Sequence, residues 1–369
     1  MVLSAALTAP ALAQHNDLWP HLSGTALRIG IFDFTNQQAE DPDRRVFGYE
    51  FDNPNDPFFL GDPGIAAGSG AGATGLTAGS AVRFNLLADL KYWDGTGDVS
   101  IGAVPNSETL RLRKGFSNVT TGTGTGFVTG LNWDVVAADG SVHSHLSAFL
   151  QGSDGNAVPA GPGIWGTRDG VEATAGLYVV TMELTTDQAG IADSPPIRVV
   201  FDSAAPAGAL DTLVAYLLAD FDVSDVVNAT DIDLLTAGFD ALATDSPYDL
   251  DGDGDADDAD VTVLVEDVLG TRRGDANLDG QVNALDLSVM ASNWLGSGIG
   301  WAGGDFNGDT QVNALDLSAM ASNWLFAATE QGVAFDQALA TVGLGGIPEP
   351  GSAVLLLVAG GTLMMRRRR

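Results

Sequence analysis
Hydrophobic positions along this chain fall into two rhythms. Between Thr25 and Ser203 they come in short runs of strand length, Ala26–Phe34, Ser80–Leu87, Gly176–Thr185 and Ile197–Phe201 among them. Gly, Pro, Asn and Asp break the runs, with turn dipeptides at Asp139-Gly140, Asp154-Gly155 and Asp169-Gly170, and no long helical period appears. Closely spaced strands with polar turns predict an all-β domain, an antiparallel sandwich. The glycine-rich stretch Ala66–Gly79 reads as a flexible loop inside it. Past residue 218 the rhythm changes. Leu287, Met290, Ala291, Trp294 and Leu295 recur at i, i+3, i+4, i+7 and i+8, the spacing of an amphipathic helix. The fold class is therefore multidomain, an all-β N-terminal part followed by α-helical repeats.

The helical part repeats itself. Asn283–Leu295 recurs 30 residues later as Asn313–Leu325, with only Val289 against Ala319 differing. Upstream of each copy stand alternating oxygen donors, and together they make a 12-residue loop with donors at positions 1, 3, 5, 9 and 12, the EF-hand spacing for Ca2+. The third loop offers Asp275, Asn277, Asp279, Asn283 and Asp286, with Gly280 at the sharp turn; the fourth offers Asp305, Asn307, Asp309, Asn313 and Asp316. Two earlier loops fit the same template. Asp220, Asp222, Ser224, Asn228 and Asp231 form the first; Asp249, Asp251, Asp253, Asp257 and Asp260 form the second, with Gly254 at position 6. Position 7 supplies a backbone carbonyl, from Val226, Asp255, Gln281 and Gln311. The first loop departs from the pattern at Ser224 and Asp225, and the fourth places Thr310 where glycine suits a positive φ.

A helix after each loop, without one before it, resembles the type I dockerin repeat, used in pairs. The resemblance covers about 110 residues, as two dockerin-like pairs, 219–270 and 271–326. It implies Ca2+ as cofactor and a cohesin-like partner. Cellulosomal dockerins carry Ser/Thr-type contact residues at loop positions 10 and 11, where this chain has Ala229-Thr230, Asp258-Ala259, Ala284-Leu285 and Ala314-Leu315. A docking role and a calcium-stabilised spacer both remain open.

Charge sharpens the division. The net charge is −32, and the 48 acidic residues divide into 40 Asp and 8 Glu. From 204 to 346 there are 25 acidic residues against two basic ones, Arg272 and Arg273. Such a balance excludes nucleic acid as a direct partner. Aspartate in excess over glutamate, the better helix former, points to loops and hard-cation coordination. Cysteine is absent, which excludes disulfide scaffolds, iron–sulfur clusters and cysteine nucleophiles.

Both ends read as addresses. Residues 1–13 are an apolar run closing on Ala11-Leu12-Ala13, a secretory signal truncated of its basic opening, with cleavage after Ala13. At the other end Pro348-Glu349-Pro350 precedes an apolar run, Gly351–Met365, and four arginines, Arg366–Arg369. This layout resembles the PEP-CTERM sorting signal, over residues 347–369. It implies export, a short transmembrane segment holding the chain in the membrane before processing, and recognition by an exosortase-type enzyme. A plain C-terminal anchor is the competing reading. Residues 204–218 and 327–346 read as linkers around the acidic module, which leaves 14–203 as the β-sandwich domain.

Within the β domain the histidines carry the chemical signal. All four lie in two clusters, His15 and His21 in HNDLWPH, His143 and His145 in SVHSHL. On a strand, residues two apart share a face, so His143 and His145 present paired imidazoles, and His15 and Asp17 do likewise. Paired imidazoles suit Zn2+; ordinary surface histidines are the competing reading. The segments HNDLWPH, RVFGYEFDNPNDPFF, GTGTGF, SVHSHL and DSPPIRVVF resemble a family of PEP-CTERM surface proteins controlled by the zinc-uptake repressor. That resemblance implies a role in zinc scarcity, metal capture at the cell surface. Gly122–Gly126 looks like a phosphate loop but lacks the Gly-Lys-Ser/Thr ending, and it reads as a turn.

The reading is an exported, cell-surface, non-enzymatic calcium-binding protein. It has a zinc-binding β domain with His15, Asp17, His21, His143 and His145 as candidate ligands, and a dockerin-like interaction module for a cohesin-like or surface polysaccharide partner. The alternative is a polysaccharide-degrading enzyme or accessory protein that carries a dockerin.

Overall fold
The computed structural model describes residues 16–33, 38–51, 58–152, 173–239, 247–328 and 333–345, which divide at 218/219 into two compact units.

The first unit is built on sixteen strands: β1 (Asn16–Ser23), β2 (Ala26–Asp33), β3 (Gln38–Glu40), β4 (Val46–Glu50), β5 (Phe59–Leu60), β6 (Gly64–Ala67), β7 (Ala81–Leu86), β8 (Lys91–Trp93), β9 (Gly102–Ala103), β10 (Thr109–Lys114), β11 (Ser117–Thr121), β12 (Val128–Val135), β13 (Val142–His145), β14 (Ser147–Gln151), β15 (Gly176–Thr186) and β16 (Ile197–Ser203). They form three sheets. One runs β13-β6-β1-β2-β3, one β11-β10-β14-β5, and the largest β12-β7-β15-β16-β4, with β8 attached to β15 and β9 to β8. Pairing is antiparallel except for β1 with β6 and β16 with β4, which are parallel. Leu18, Leu27, Phe32, Ile65, Phe84, Leu110, Trp133, Tyr178 and Phe201, drawn from all three sheets, fill a common core.

Two expectations are corrected here, and a third holds. The Ala66–Gly79 stretch is no loose loop: its first residues close β6, with Ala66 and Ala67 buried, and the Trp19 indole donates to the Gly72 carbonyl at 3.0 Å. At Gly68 space is tight: a Cβ there would lie 3.2 Å from the Phe32 ring. The supposed linker 204–218 carries helix α1 (Ala209–Ala219). Leu210, Leu213, Val214 and Leu217 fall on one face by helical spacing and pack with Val46, Trp93, Leu177 and Val200 in a second core. The Gly122–Gly126 turn has its amides taken: Gly124 and Gly126 N–H groups donate to the Asp89 carboxylate at 2.6 and 2.7 Å, so an internal anion stands where a phosphate would.

The second unit carries α2 (Ala229–Ala237), α3 (Asp258–Thr262) continued as a π-turn over Val263–Val268, α4 (Ala284–Ser292), α5 (Ala314–Ser322) and α6 (Phe335–Thr341), the last inside the segment read as the second linker. α4 and α5 end earlier than their apolar spacing implied. Leu295, at φ 62° and 76 % exposed, lies past the helix and leaves the core to Leu287 and Met290. Its backbone has another use. Leu295 N–H donates to Val312 O and Val312 N–H to Gly296 O, while Leu325 N–H donates to Val282 O and Val282 N–H to Phe326 O. Each repeat thus clasps the loop of the other, with the 30-residue offset preserved.

Among the described residues no helix is long and apolar enough to cross a membrane. Ala13, Pro348, Glu349, Pro350, the Gly351–Met365 run and His15 lie outside the described residues.

Candidate metal centres
The first centre lies on the β13-β6-β1 face. β13 alternates buried and exposed positions, so Val142 and Ser144 point into the core while His143 and His145 point out. Antiparallel pairing sets His145 opposite Gly64 on β6, and parallel pairing sets Leu18 of β1 beside Ile65. Asp17 and His145 therefore flank Gly64. A Cβ at residue 64 would strike Asp17 Oδ1 and stand 2.8 Å from the His145 ring, so the missing side chain is what lets carboxylate and imidazole meet. His143 Nε2 and His145 Nε2 are 3.2 Å apart, and each is 3.8 Å from Asp17 Oδ2. Tetrahedral ligands on a zinc ion at 2.0–2.1 Å sit about 3.3 Å from one another, so these atoms converge closely enough to share one ion.

The surroundings fix the rings. His145 Nδ1 lies 2.8 Å from Asp62 Oδ1, and the His143 backbone N–H donates to Asp134 Oδ2. The Asp62 hydrogen bond, with the Asp17 charge behind it, raises the His145 pKa against the opposing effect of burial. Burial, reinforced by Asp62 and Asp17, also pushes the Tyr49 phenol well above its ordinary value, which places that side chain within the field of the cluster.

His21 does not join them. It stacks on Trp19 at 4.0 Å, is buried, and faces Arg28 across the β1–β2 ladder; burial lowers its pKa. Four residues along a strand is about 13 Å, beyond reach of a shared ion. The structure brings together Asp17, His143 and His145, separates His21, and adds Asp62 and Gly64, which no local pattern marked.

The remaining centres are the four loops. Position 12 is the same device in each: Asp231, Asp260, Asp286 and Asp316 are at most 1 % exposed. Asp286 Oδ1 accepts from Ala276 and Asn277, and Oδ2 from Asn283, so the carboxylate ties the loop start to the helix start. Position 9 caps the helix. Asn228, Asp257, Asn283 and Asn313 accept from the N–H two residues on, each in a reciprocal capping box with position 12. Position 1 is buried at Asp220, Asp275 and Asp305. Burial raises the pKa of Asp231, Asp260, Asp275, Asp286, Asp305 and Asp316, and repulsion from Asp220, Asp251, Asp279, Asp275, Asp316 and Asp309 respectively adds to it. Buried, mutually repelling carboxylates held open by backbone N–H groups suit a hard cation of high charge.

The loops are not equal. In loop one Asp220, Asp222 and Asp231 offer oxygens within 4.8 Å of one another, and in loop two Asp249, Asp251 and Asp260 do so, with Asp255 and Asp257 also grouped about Asp260. In loop one the Ser224 hydroxyl and the Asn228 amide both donate to Val226 O, so three expected donors engage one another. One bond is common to all four: the position-3 side chain, Asp222, Asp251, Asn277 or Asn307, accepts from the position-5 N–H. Position 6 is left-handed in every loop, including Asp225 at φ 69° and Thr310 at φ 64°. Position 4 is left-handed too, at Val223, Gly252, Leu278 and Gly308, a requirement the spacing did not disclose. Gly274 and Gly304, at φ 114° and 104°, precede loops three and four and press on Met320 and Met290 of the opposite helices.

Among solved structures the chain is similar to a family 123 glycoside hydrolase from Clostridium perfringens, described for glycolipid glycan hydrolysis. Identity is 12 %, the alignment covers 53 % of this chain and 30 % of that one, and the TM-score of 0.15 is too low to define a shared fold. The chain thus spans less than a third of that enzyme's length. No curated protein sequence matches it. Residues 273–325, the two loop–helix repeats that clasp each other, match the dockerin type I domain family.

Proposed function
We propose that this is an exported, cell-surface protein whose β unit holds a transition metal, Zn2+ above others, and whose acidic unit is a calcium-dependent interaction module. The observation that carries the metal reading is the convergence of His143, His145 and Asp17 on one point from two strands that are not sequence neighbours. Nitrogen and carboxylate donors without sulfur fit Zn2+ in an accessible, exchangeable site. His143 and His145 would bind through Nε2 and Asp17 through a carboxylate oxygen; the ion would supply a fixed positive charge and a position open to a further donor.

The dockerin type I match supports a docking role for residues 273–325. Position 11 there is Leu285 and Leu315, each 62 % exposed, so a cohesin-like partner would meet leucines where Ser/Thr-type residues are usual. Export, exosortase processing after Pro348-Glu349-Pro350 and transient membrane anchoring complete the proposal. In a host bearing that enzyme, the mature chain should lack Arg369.

Isothermal titration of Zn2+ into the full chain, saturated with Ca2+, tests the metal reading. One zinc per chain is expected, lost in the His143→Ala/His145→Ala double variant; equal affinity in both overturns it. The alternative, a polysaccharide-degrading enzyme carrying a dockerin, predicts turnover on a glycan panel.

A further inference from the structure
We propose that Asp62 is the outer carboxylate of the β-unit centre, the positioning residue that keeps the proton of His145 on Nδ1 and turns its Nε2 lone pair toward Asp17 and His143. The inference rests on the metal reading above.

A neutral imidazole carries one N–H, and either nitrogen can hold it. If Nε2 of His145 held it, that N–H would point at His143 Nε2, 3.2 Å away, or at Asp17 Oδ2, 3.8 Å away, and no lone pair would remain for an ion. Asp62 decides between the two forms. Its carboxylate can only accept, and Oδ1 lies 2.8 Å from Nδ1, on the side of the ring away from the converging donors. Nδ1 is therefore the donor and Nε2 the free base. Carboxylate, imidazole and ion in line is the arrangement by which outer-shell acids orient and strengthen histidine ligands.

The backbone holds Asp62 in place for this. It stands two residues before Gly64, the residue opposite His145 in the β6–β13 ladder, so its carboxylate reaches the far edge of the ring as Asp17 reaches the near edge. Asp62 is 21 % exposed, more than Asp17 at 5 %, and it does not enter the group of three that converges. Asp17 acts on the ion, and Asp62 acts through His145.

The test uses the full chain, saturated with Ca2+, in wild-type, Asp62→Ala and Asp62→Asn forms. Zn2+ affinity is measured by competition with a chromophoric chelator, and the His145 tautomer by long-range 15N–1H NMR without zinc. Asp62→Ala should weaken zinc by about 10- to 100-fold and move the proton to Nε2 in a substantial fraction of molecules. Asp62→Asn, whose carboxamide oxygen can still accept, should keep the Nδ1–H form and lose less affinity. A residue that merely shaped the loop would leave the tautomer unmoved. If wild type binds zinc and both variants bind as tightly with Nδ1–H retained, the proposal is overturned while the metal site stands. If wild type binds no zinc, the metal reading itself falls, visibly and before any variant is compared.

Discussion
The two units treat acidic and basic side chains in opposite ways. In the β unit, the metal-binding candidates stand on a finished scaffold. Strand hydrogen bonds satisfy β13, β6 and β1 without help, and His143 and His145 are 50 % and 39 % exposed above a packed core. In the acidic unit the candidates are the scaffold. Asp231, Asp260, Asp286 and Asp316 are buried and bind the loop backbone, so without a cation their charges would be poorly solvated. On the proposed reading, one unit would carry a metal as cargo and the other would need it to fold.

Chelation should show the largest difference. With EDTA the helical signal of the second unit should collapse while the β signal persists, and of two calorimetric transitions only one should shift with Ca2+. A site held at about 1,000 times its dissociation constant adds about 4 kcal/mol to the folded state. Circular dichroism and calorimetry with and without chelator check this, and unchanged helicity and melting would erase the contrast. Asp275→Ala should lower the calcium count by one.

Next in size is the clasp between the last two repeats. A Cβ on Gly274 would lie 2.8 Å from Met320 Cα, and one on Gly304 would lie 2.9 Å from Met290 Cα. Both residues also need a positive φ. Left-handed strain and overpacking together predict that Gly274→Ala and Gly304→Ala each destabilise by about 2–4 kcal/mol. The two losses should agree, since the 30-residue repeat makes the environments equivalent. Thermal melts in saturating Ca2+ measure both, and a large disparity would mean that the clasp is not reciprocal.

How much of this could be read from the chain alone depended on the range of the determining contact. Strands with long apolar runs, such as β7 and β15, announce themselves by local pattern. The loops do so too, because all their donors lie within twelve residues. Helix α1 had its signal, Leu210, Leu213, Val214 and Leu217 in helical spacing, but the run of eleven residues is short and follows Pro206 and Gly208. The parallel pairings of β1 with β6 and β16 with β4 have no local signature. That is why Asp62 and Gly64 stayed hidden: 83 residues separate Asp62 from His145, and register alone joins them. Strand parity correctly put His143 beside His145 but could not tell that Asp17 would be their neighbour and His21 would not. In the loops, position 4 was missed because Val223 and Leu278 occupy left-handed backbone without the glycine that would have marked it.

The histidine pair should give a smaller change in stability and a sharp one in binding. His143→Ala/His145→Ala should abolish zinc uptake yet leave the β transition within about 0.5 kcal/mol, as for exposed residues elsewhere. Asp286→Ala should do the reverse, leaving zinc untouched and lowering the calcium-dependent transition. Zinc titration and melting of both variants sharpen the contrast; a β unit that melts several degrees lower without its histidines would show that its metal, too, is structural.

The smallest effect separates loops within the acidic unit. Loop two has Gly252 and Gly254 at both left-handed positions, loops three and four have one glycine each, and loop one has Val223 and Asp225. A non-glycine residue in that conformation costs roughly 1–2 kcal/mol. Glycine returns about 0.5–1 kcal/mol of this in unfolded-state entropy. Thr310→Gly in loop four should therefore tighten calcium by about 0.5–1 kcal/mol, a few-fold in affinity, and Gly280→Thr in loop three should weaken it by the same amount. Direct titration of each variant with Ca2+ reads the difference. Equal affinities would mean that donor charge alone, and not backbone strain, ranks the loops. Loop two, with five aspartates, would then still bind tightest, but loops three and four would be indistinguishable.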